Sequence, residues 1–435
     1  MKPKLKLLAA LVVLGQTALA AAGPVVIDIG DPNRSKYKIA SPAPVEGSAT
    51  LGKELSEAVR KDLDLSGWFI TIDPKAFLAD LKAEGTSINV DSWRAVGAQG
   101  VSKIRIVTAG DTATLSGFLY EVASGTQAVL SKSYTGKLSD VRMLAHAWAN
   151  EIVLYYTREA SFFGSRITFS AGGKGKRDIY VMDFDGARVG RITSNGSMNI
   201  LPAFSPSGGQ IALTSYWRGN PDLYVVGAGG GRMKRIASYS GLNSGAAWSP
   251  DGSKIALTLT KDGNADIYVI SASDGSVVSR LTKDSAIDTS PSWSPDGSKV
   301  AFVSNRQGGP QIFVVGAGGG SATRVSWQGS YNTTPSWSPR GDESKLAWTG
   351  QSDGGNFDIF VYDFKNKQTL KLTQGQGSNE EPTWAPNGRA LAFTSSRKSG
   401  TGIYVQAADG KGEAILVYKG GAYTPDWGPA PKKLP

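Results

Sequence analysis

An aromatic residue followed two positions later by proline returns six times along the last two-thirds of the chain. The copies are Phe204-Ser-Pro-Ser-Gly, Trp248-Ser-Pro-Asp-Gly, Trp293-Ser-Pro-Asp-Gly, Trp337-Ser-Pro-Arg-Gly, Trp384-Ala-Pro-Asn-Gly and Trp427-Gly-Pro. Their spacings are 44, 45, 44, 47 and 43 residues, the period of a four-stranded propeller blade. Between the copies, runs of β-formers alternate with Pro, Asp and Gly, as in Lys299-Val-Ala-Phe-Val-Ser304 and Gln311-Ile-Phe-Val-Val315. Each unit therefore reads as strands a, b, c and d.

The ends of the array specify its closure. The first unit begins at strand b, Arg166-Ile-Thr-Phe169, and nothing follows the last aromatic that could continue a blade. A ring satisfies both ends if Tyr423-Thr-Pro-Asp-Trp427 supplies strand a to the first blade, which also removes exposed sheet edges. The repeated tryptophans are expected to pack between blades. The fold class expected is an α/β N-terminal domain followed by an all-β six-bladed β-propeller closed by the C-terminal strand.

Residues 1–22 read as a cleaved signal peptide: Lys2, Lys4 and Lys6, an apolar run from Leu7 to Leu14, and small residues for cleavage between Ala20 and Ala22. No cysteine is present, which excludes disulfides, thiolate metal sites and a lipidated cysteine. Residues 23–160 carry 15 basic and 16 acidic side chains, residues 161–435 carry 29 and 21, so the positive excess belongs to the propeller. Export and the lack of a basic-aromatic stripe argue against nucleic acid as its target and favour an acidic protein. The expected divisions are a domain over 23–160, the propeller over 161–428 and a tail over 429–435.

In the front domain, Val25-Val-Ile-Asp-Ile29 reads as a strand, and Ser48 or Thr50 as the cap of a helix carrying Leu51, Leu55, Val59 and Leu63. Strands are expected at Trp68–Ile72, Lys103–Val107, Thr114–Tyr120 and Gln127–Leu130. Helices are expected from Asp73-Pro74 through Leu81 and from Asp140 to Tyr156.

Catalytic chemistry has few candidates. His146 is the single histidine, so a cluster of histidine ligands is impossible, and no Gly-x-Ser-x-Gly elbow occurs. Asp183-Phe-Asp185-Gly186 and Gly316–Gly320 read as turns. No cofactor or metal is expected. An alternative reading is an exported hydrolase or lyase using channel carboxylates Asp288, Glu380 and Glu381; another is a carbohydrate-binding scaffold.

Blade topology makes the short a–b turns share one face and the longer b–c and d–a loops the other, where binding is expected. Cations on b–c loops there include Lys174, Lys176, Arg177, Arg218, Lys261, Arg306, Arg397 and Lys398. The d–a segments bring Leu242, Asn243, Ser244, Gly245, Thr289, Asn332, Thr333, Asn379 and Tyr423 towards the channel mouth. The connector reaches the first blade at the short-turn face, so the front domain is expected there.

These residues, with Glu54-Leu-Ser-Glu-Ala-Val-Arg-Lys-Asp-Leu63, Phe163-Gly-Ser-Arg-Ile-Thr168, Asp178–Gly186, Ser197–Pro202 and Gly219–Tyr224, closely resemble the TolB family over essentially the full mature chain. The resemblance implies a periplasmic, non-enzymatic adaptor of the Tol-Pal system, which supports outer-membrane integrity and constriction at division; a monomer is expected. It implies that the lipoprotein Pal docks at the channel mouth, on the d–a positions above together with the rim cations Arg218, Lys261 and Arg306. It also implies that a switch segment, here Val25, Val26, Ile27, Asp28, Ile29 and Gly30 within Val25–Asn33, binds TolA when released.

Overall fold

The computed structural model describes residues 26–27, 35–173, 175–341, 344–351, 354–397, 400–432 and 434. The signal read over 1–22 lies outside these residues, as do Val25, Asp28, Ile29 and Gly30 of the switch segment, and Lys174 and Lys398.

The front domain is a five-stranded sheet in the order β2-β1-β3-β4-β5. Its elements are β1 (Tyr37–Ala40), α1 (Ala49–Leu65), β2 (Phe69–Thr71), α2 (Leu81–Glu84), α3 (Val90–Ala95), β3 (Gly100–Ala109), β4 (Thr112–Glu121), β5 (Leu130–Lys137) and α4 (Arg142–Thr157). Strand β1 runs parallel to β2 and β3, while β3, β4 and β5 form an antiparallel meander. Ser48 caps α1 by accepting from the Leu51 N–H, and Leu55, Val59 and Leu63 bury one helical stripe. They meet Trp148 and Ile152 of α4 and Ile104, Ile106 and Leu115 of the sheet in one core. Trp148 lies flat over Gly117, where a Cβ would stand 2.3 Å from the indole, and donates to Ser102 Oγ at 2.9 Å. Only glycine fits there.

Two expectations for this domain are corrected. Asp73-Pro74 opens a single tight turn, Pro74–Ala76, not a helix through Leu81. The chain extends at Phe77, whose ring packs on Trp93 at 5.0 Å, and Asp80 caps the separate α2. The strand placed at Gln127–Leu130 starts at Leu130 and runs to Lys137. Its ladder of Thr114–Thr135 and Ser116–Ser133 hydroxyl pairs is polar and gives no apolar alternation. Strand β1 and helix α3 were not anticipated; Tyr37, Ile39 and Trp93 anchor them.

The propeller has six four-stranded sheets. Blade 1 takes its strand a, Ala422–Trp427, from the C-terminus, antiparallel to Arg166–Ala171 with Ala422 opposite Ala171 and Trp427 opposite Ile167. Strands a of blades 2 to 6 are Asn199–Phe204, Asn243–Trp248, Asp288–Trp293, Asn332–Trp337 and Ser378–Trp384. The repeated indoles stitch neighbouring blades: Trp248 Nε1 donates to the Ala203 carbonyl, Trp293 to that of Ala247 and Trp384 to that of Ser336. Trp337 differs, its indole donating to Ser344 Oγ.

The front domain rests on the short-turn face. Glu159 of the connector receives Arg389 at 2.7 Å and Arg340 at 3.5 Å, both from a–b turns, and Asn387 donates to the Ala160 carbonyl. Asp185, in the turn after the first strand c, is buried beneath Arg142 of α4. Phe162 and Phe163 join Phe184 and Trp427, so the two parts share one continuous apolar core.

Candidate partner-binding face

Strand a carries a left-handed residue at the same place in every blade: Leu201, Gly245, Ser290, Thr334, Glu381 and Thr424, with φ between 49° and 68°. The a–b register slips by one residue at each, as where Ala212 pairs with Ala203 but Thr214 pairs with Ile200. This is a β-bulge repeated six times around the channel mouth. Five of the six residues are not glycine, so the backbone there is held by its surroundings.

Two residues before the left-handed position in blades 2 to 6 stands a buried Asn or Asp. Asn199 receives Ser215 Oγ and donates towards Asp178; Asn379 receives Ser395 Oγ and donates to Asp358 at 3.1 Å. Asn332 makes the same link to Gln311 at 2.8 Å, and Asn243 is held by the Tyr239 and Gly241 carbonyls. In blades 2, 5 and 6 these side chains fasten the d–a segment to the preceding strand c, whereas Asn243 in blade 3 closes the d–a segment on itself. In blade 4 the position is Asp288, fully buried, and Arg306 neutralises it at 2.9 Å.

The expected contact residues thus fall into three groups. Asn243, Asn332 and Asn379 are 0–1% exposed and Ser244 is 8% exposed, which corrects the expectation that their side chains face the channel mouth. Their amides are consumed by the loop, so they shape the surface without offering contacts. Leu242, Gly245, Thr289, Thr333 and Tyr423 are reachable at the surface of the mouth. Tyr423 lies under the Arg177 guanidinium at 4.0 Å. Among the cations, Arg218 is exposed, but Lys261 pairs with Asp262 at 2.9 Å and Arg306 with both Asp284 and Asp288. The rim is therefore less positive than its lysine and arginine count suggests.

Sequence reasoning placed Ile287 on a d–a loop of this face but did not single out the exposed aromatics beside it. Tyr216, Trp217, Ile287, Trp327 and Tyr331 are 37–67% exposed, and all lie on b–c or d–a connections of this face. Arg324 stacks on Trp327 at 4.7 Å. A signal was present: Tyr216-Trp217 and Trp327 fall outside the aromatic-x-Pro period, so the repeat does not explain them. Exposed large apolar side chains gathered on one face of a fold are the kind that mark an interaction surface.

The carboxylates proposed for catalysis do not converge on a reacting centre. Asp288 is locked to Arg306. Glu381 accepts from the Thr424 N–H and Thr394 Oγ1, bridging the blade 6–blade 1 seam, and burial raises the pKa of both Glu380 and Glu381. His146 is buried in the front domain, 2.7 Å from Asp62. Among the described residues, no three His, Asp or Glu side chains are grouped to hold a metal ion.

Comparison with known proteins agrees with this architecture. The TolB beta propeller domain matches residues 155–429, and the TolB amino-terminal domain matches residues 25–128. Tol-Pal system protein TolB of Geobacter sulfurreducens is 38% identical over 163 residues, 38% of each chain. That of Anaeromyxobacter dehalogenans is 41% identical over 210 residues, 47% of this chain and 48% of the relative. The chain thus aligns with half or less of the length of these relatives. The crystal structure of TolB from Acinetobacter baumannii superposes with a TM-score of 0.79 at 26% identity, covering 92% of this chain and 98% of that one. With the propeller domain matched across more than half its length, this chain belongs to the TolB family.

Proposed function

We propose that this chain is a periplasmic, non-enzymatic adaptor of the Tol-Pal system, exported by the segment 1–22 and built from domains at 23–160 and 161–428. The reading rests most on one observation: the front domain occupies the short-turn face, while the opposite face presents Trp217, Trp327, Ile287 and Tyr331 to solvent. Pal binds that face. Desolvated aromatic anchors commonly dominate such interfaces. Replacing Trp217 or Trp327 with Ala weakens binding of the soluble Pal domain by about 1–2 kcal/mol each, measured by calorimetry. Unchanged affinity in both variants removes this face as the Pal site.

TolA is the second partner, through the switch segment. Ile27 supports a docked state: its N–H donates to the Tyr156 carbonyl at 2.8 Å, and its side chain packs on the front-domain core. A partner that prefers the free state draws the segment out by its differential affinity. Deleting residues 21–33 abolishes TolA binding in a pull-down and leaves Pal binding intact. Equal loss of both, with a folded propeller, contradicts the switch.

A further inference from the structure

The six-fold repeat contains its own control for a second binding surface. On the short-turn face, each interblade groove is plugged by the aromatic that ends strand a. Phe204, Trp337, Trp384 and Trp427 are 4–8% exposed, whereas Trp248 and Trp293 are only half-buried.

The cause lies in the residue after strand c, which is Phe184, Ala228, Ala272, Ala317, Phe364 and Ala408 in blades 1 to 6. In blade 5, Phe364 stacks on Trp337 at 5.4 Å with the rings 3° from parallel. In blade 1, Phe184 packs on Phe162, which covers Trp427 at 5.0 Å. Blade 2 has alanine, but the C-terminal Gly428 lies against the Phe204 ring. Blade 6 has alanine, and the connector docks on the turn following Trp384. Blades 3 and 4 have alanine and no cover among the described residues. Cavities of about 560 Å³ and 300 Å³ open there, each walled by its indole and its alanine.

The grooves differ in charge. The first is lined by Arg232, Lys234, Gln210 and Ser253 beside Trp248, with no carboxylate. The second has Asp251, Asp296 and Lys254 beside Trp293. Both volumes suit an inserted side chain or small ligand.

We propose that the groove between blades 2 and 3 is a peptide-binding site for a protein segment carrying an aromatic side chain next to a carboxylate. The ring takes the space over Trp248 that Phe364 fills in blade 5, and the carboxylate meets Arg232 and Lys234. The groove between blades 3 and 4 extends the same surface with the opposite charge preference. The site faces away from the open rim, so both can be occupied together.

The test uses the full chain labelled with 5-fluorotryptophan, titrated with acetyl-glutamyl-phenylalanine amide while the Trp248 signal is followed. Binding is expected in roughly the millimolar range, as for a single anchor. Ala272→Phe, which copies blade 5, weakens binding about tenfold or more by filling the groove. Arg232→Glu, which leaves the packing untouched, weakens it about tenfold at low salt. Pal affinity stays unchanged in both, so failure of the open-face reading is seen separately. A wild-type Trp248 signal that does not move, or binding to Ala272→Phe and Arg232→Glu as tight as to the unaltered chain, overturns the proposal.

Discussion

Trp427→Ala is expected to lower the unfolding free energy by about 3–5 kcal/mol, the cost of truncating a large aromatic in a closed core. Its indole packs on Phe162 and donates to Ser165 Oγ at 2.8 Å, and its backbone N–H donates to Thr383 Oγ1. One residue thus ties the C-terminal strand to blade 6, to blade 1 and to the connector. The same change at Trp248, half-buried with one wall open, removes fewer contacts and is expected to cost roughly half as much. Denaturant unfolding of the two variants measures the difference. Equal losses would mean that ring closure adds nothing beyond ordinary interblade packing.

That closure was legible in the sequence because a 44-residue period with a missing first strand and a spare last one admits few solutions. The front domain was legible only where amphipathic periodicity was strong. Helices α1 and α4 declare themselves, but β1 is four residues long and β5 is a polar edge strand with hydroxyl pairs in place of an apolar face. The binding face was legible in topology and not in side chains. Asn243, Asn332 and Asn379 look like loop polarity in one dimension; in the fold they are the buried pins of the d–a segments. Arg306 looks like a free cation because Asp284 and Asp288, its partners, lie on a neighbouring loop. Exposure cannot be read from residue type, so Trp327 stood unnoticed beside five tryptophans that pack between blades.

Stability should fall as pH rises from about 4 to 7, because buried carboxyls hold their protons longer in the fold than in the unfolded chain. Asp426 lies in the blade 1–blade 2 seam, and burial pushes its pKa up to about 6 against bonds from the Phe204 N–H and Thr383. An unfolded aspartate titrates near 3.9, so the folded state binds more protons across the interval. The contribution is fully present below the unfolded value and is lost as pH rises through 6. A shift of that size corresponds to at most about 3 kcal/mol. The Asp62–His146 pair acts in the same direction. Burial raises Asp62, and although burial pulls the imidazole down, the Asp62 charge and hydrogen bond outweigh it. The surface turns oppose this only at lower pH, since hydrogen bonds from Ser249 and Ser253, and from Ser294 and Ser298, hold Asp251 and Asp296 near 2. Asp426→Asn keeps an acceptor for the Phe204 N–H and removes the titration, so its unfolding free energy should vary much less with pH. Urea unfolding at several pH values between 4 and 8 checks this. A variant as pH-dependent as the parent would assign the slope to the other raised groups, Asp62, His146, Glu380 and Glu381, and would mean that the seam carboxylate is solvated enough to titrate normally.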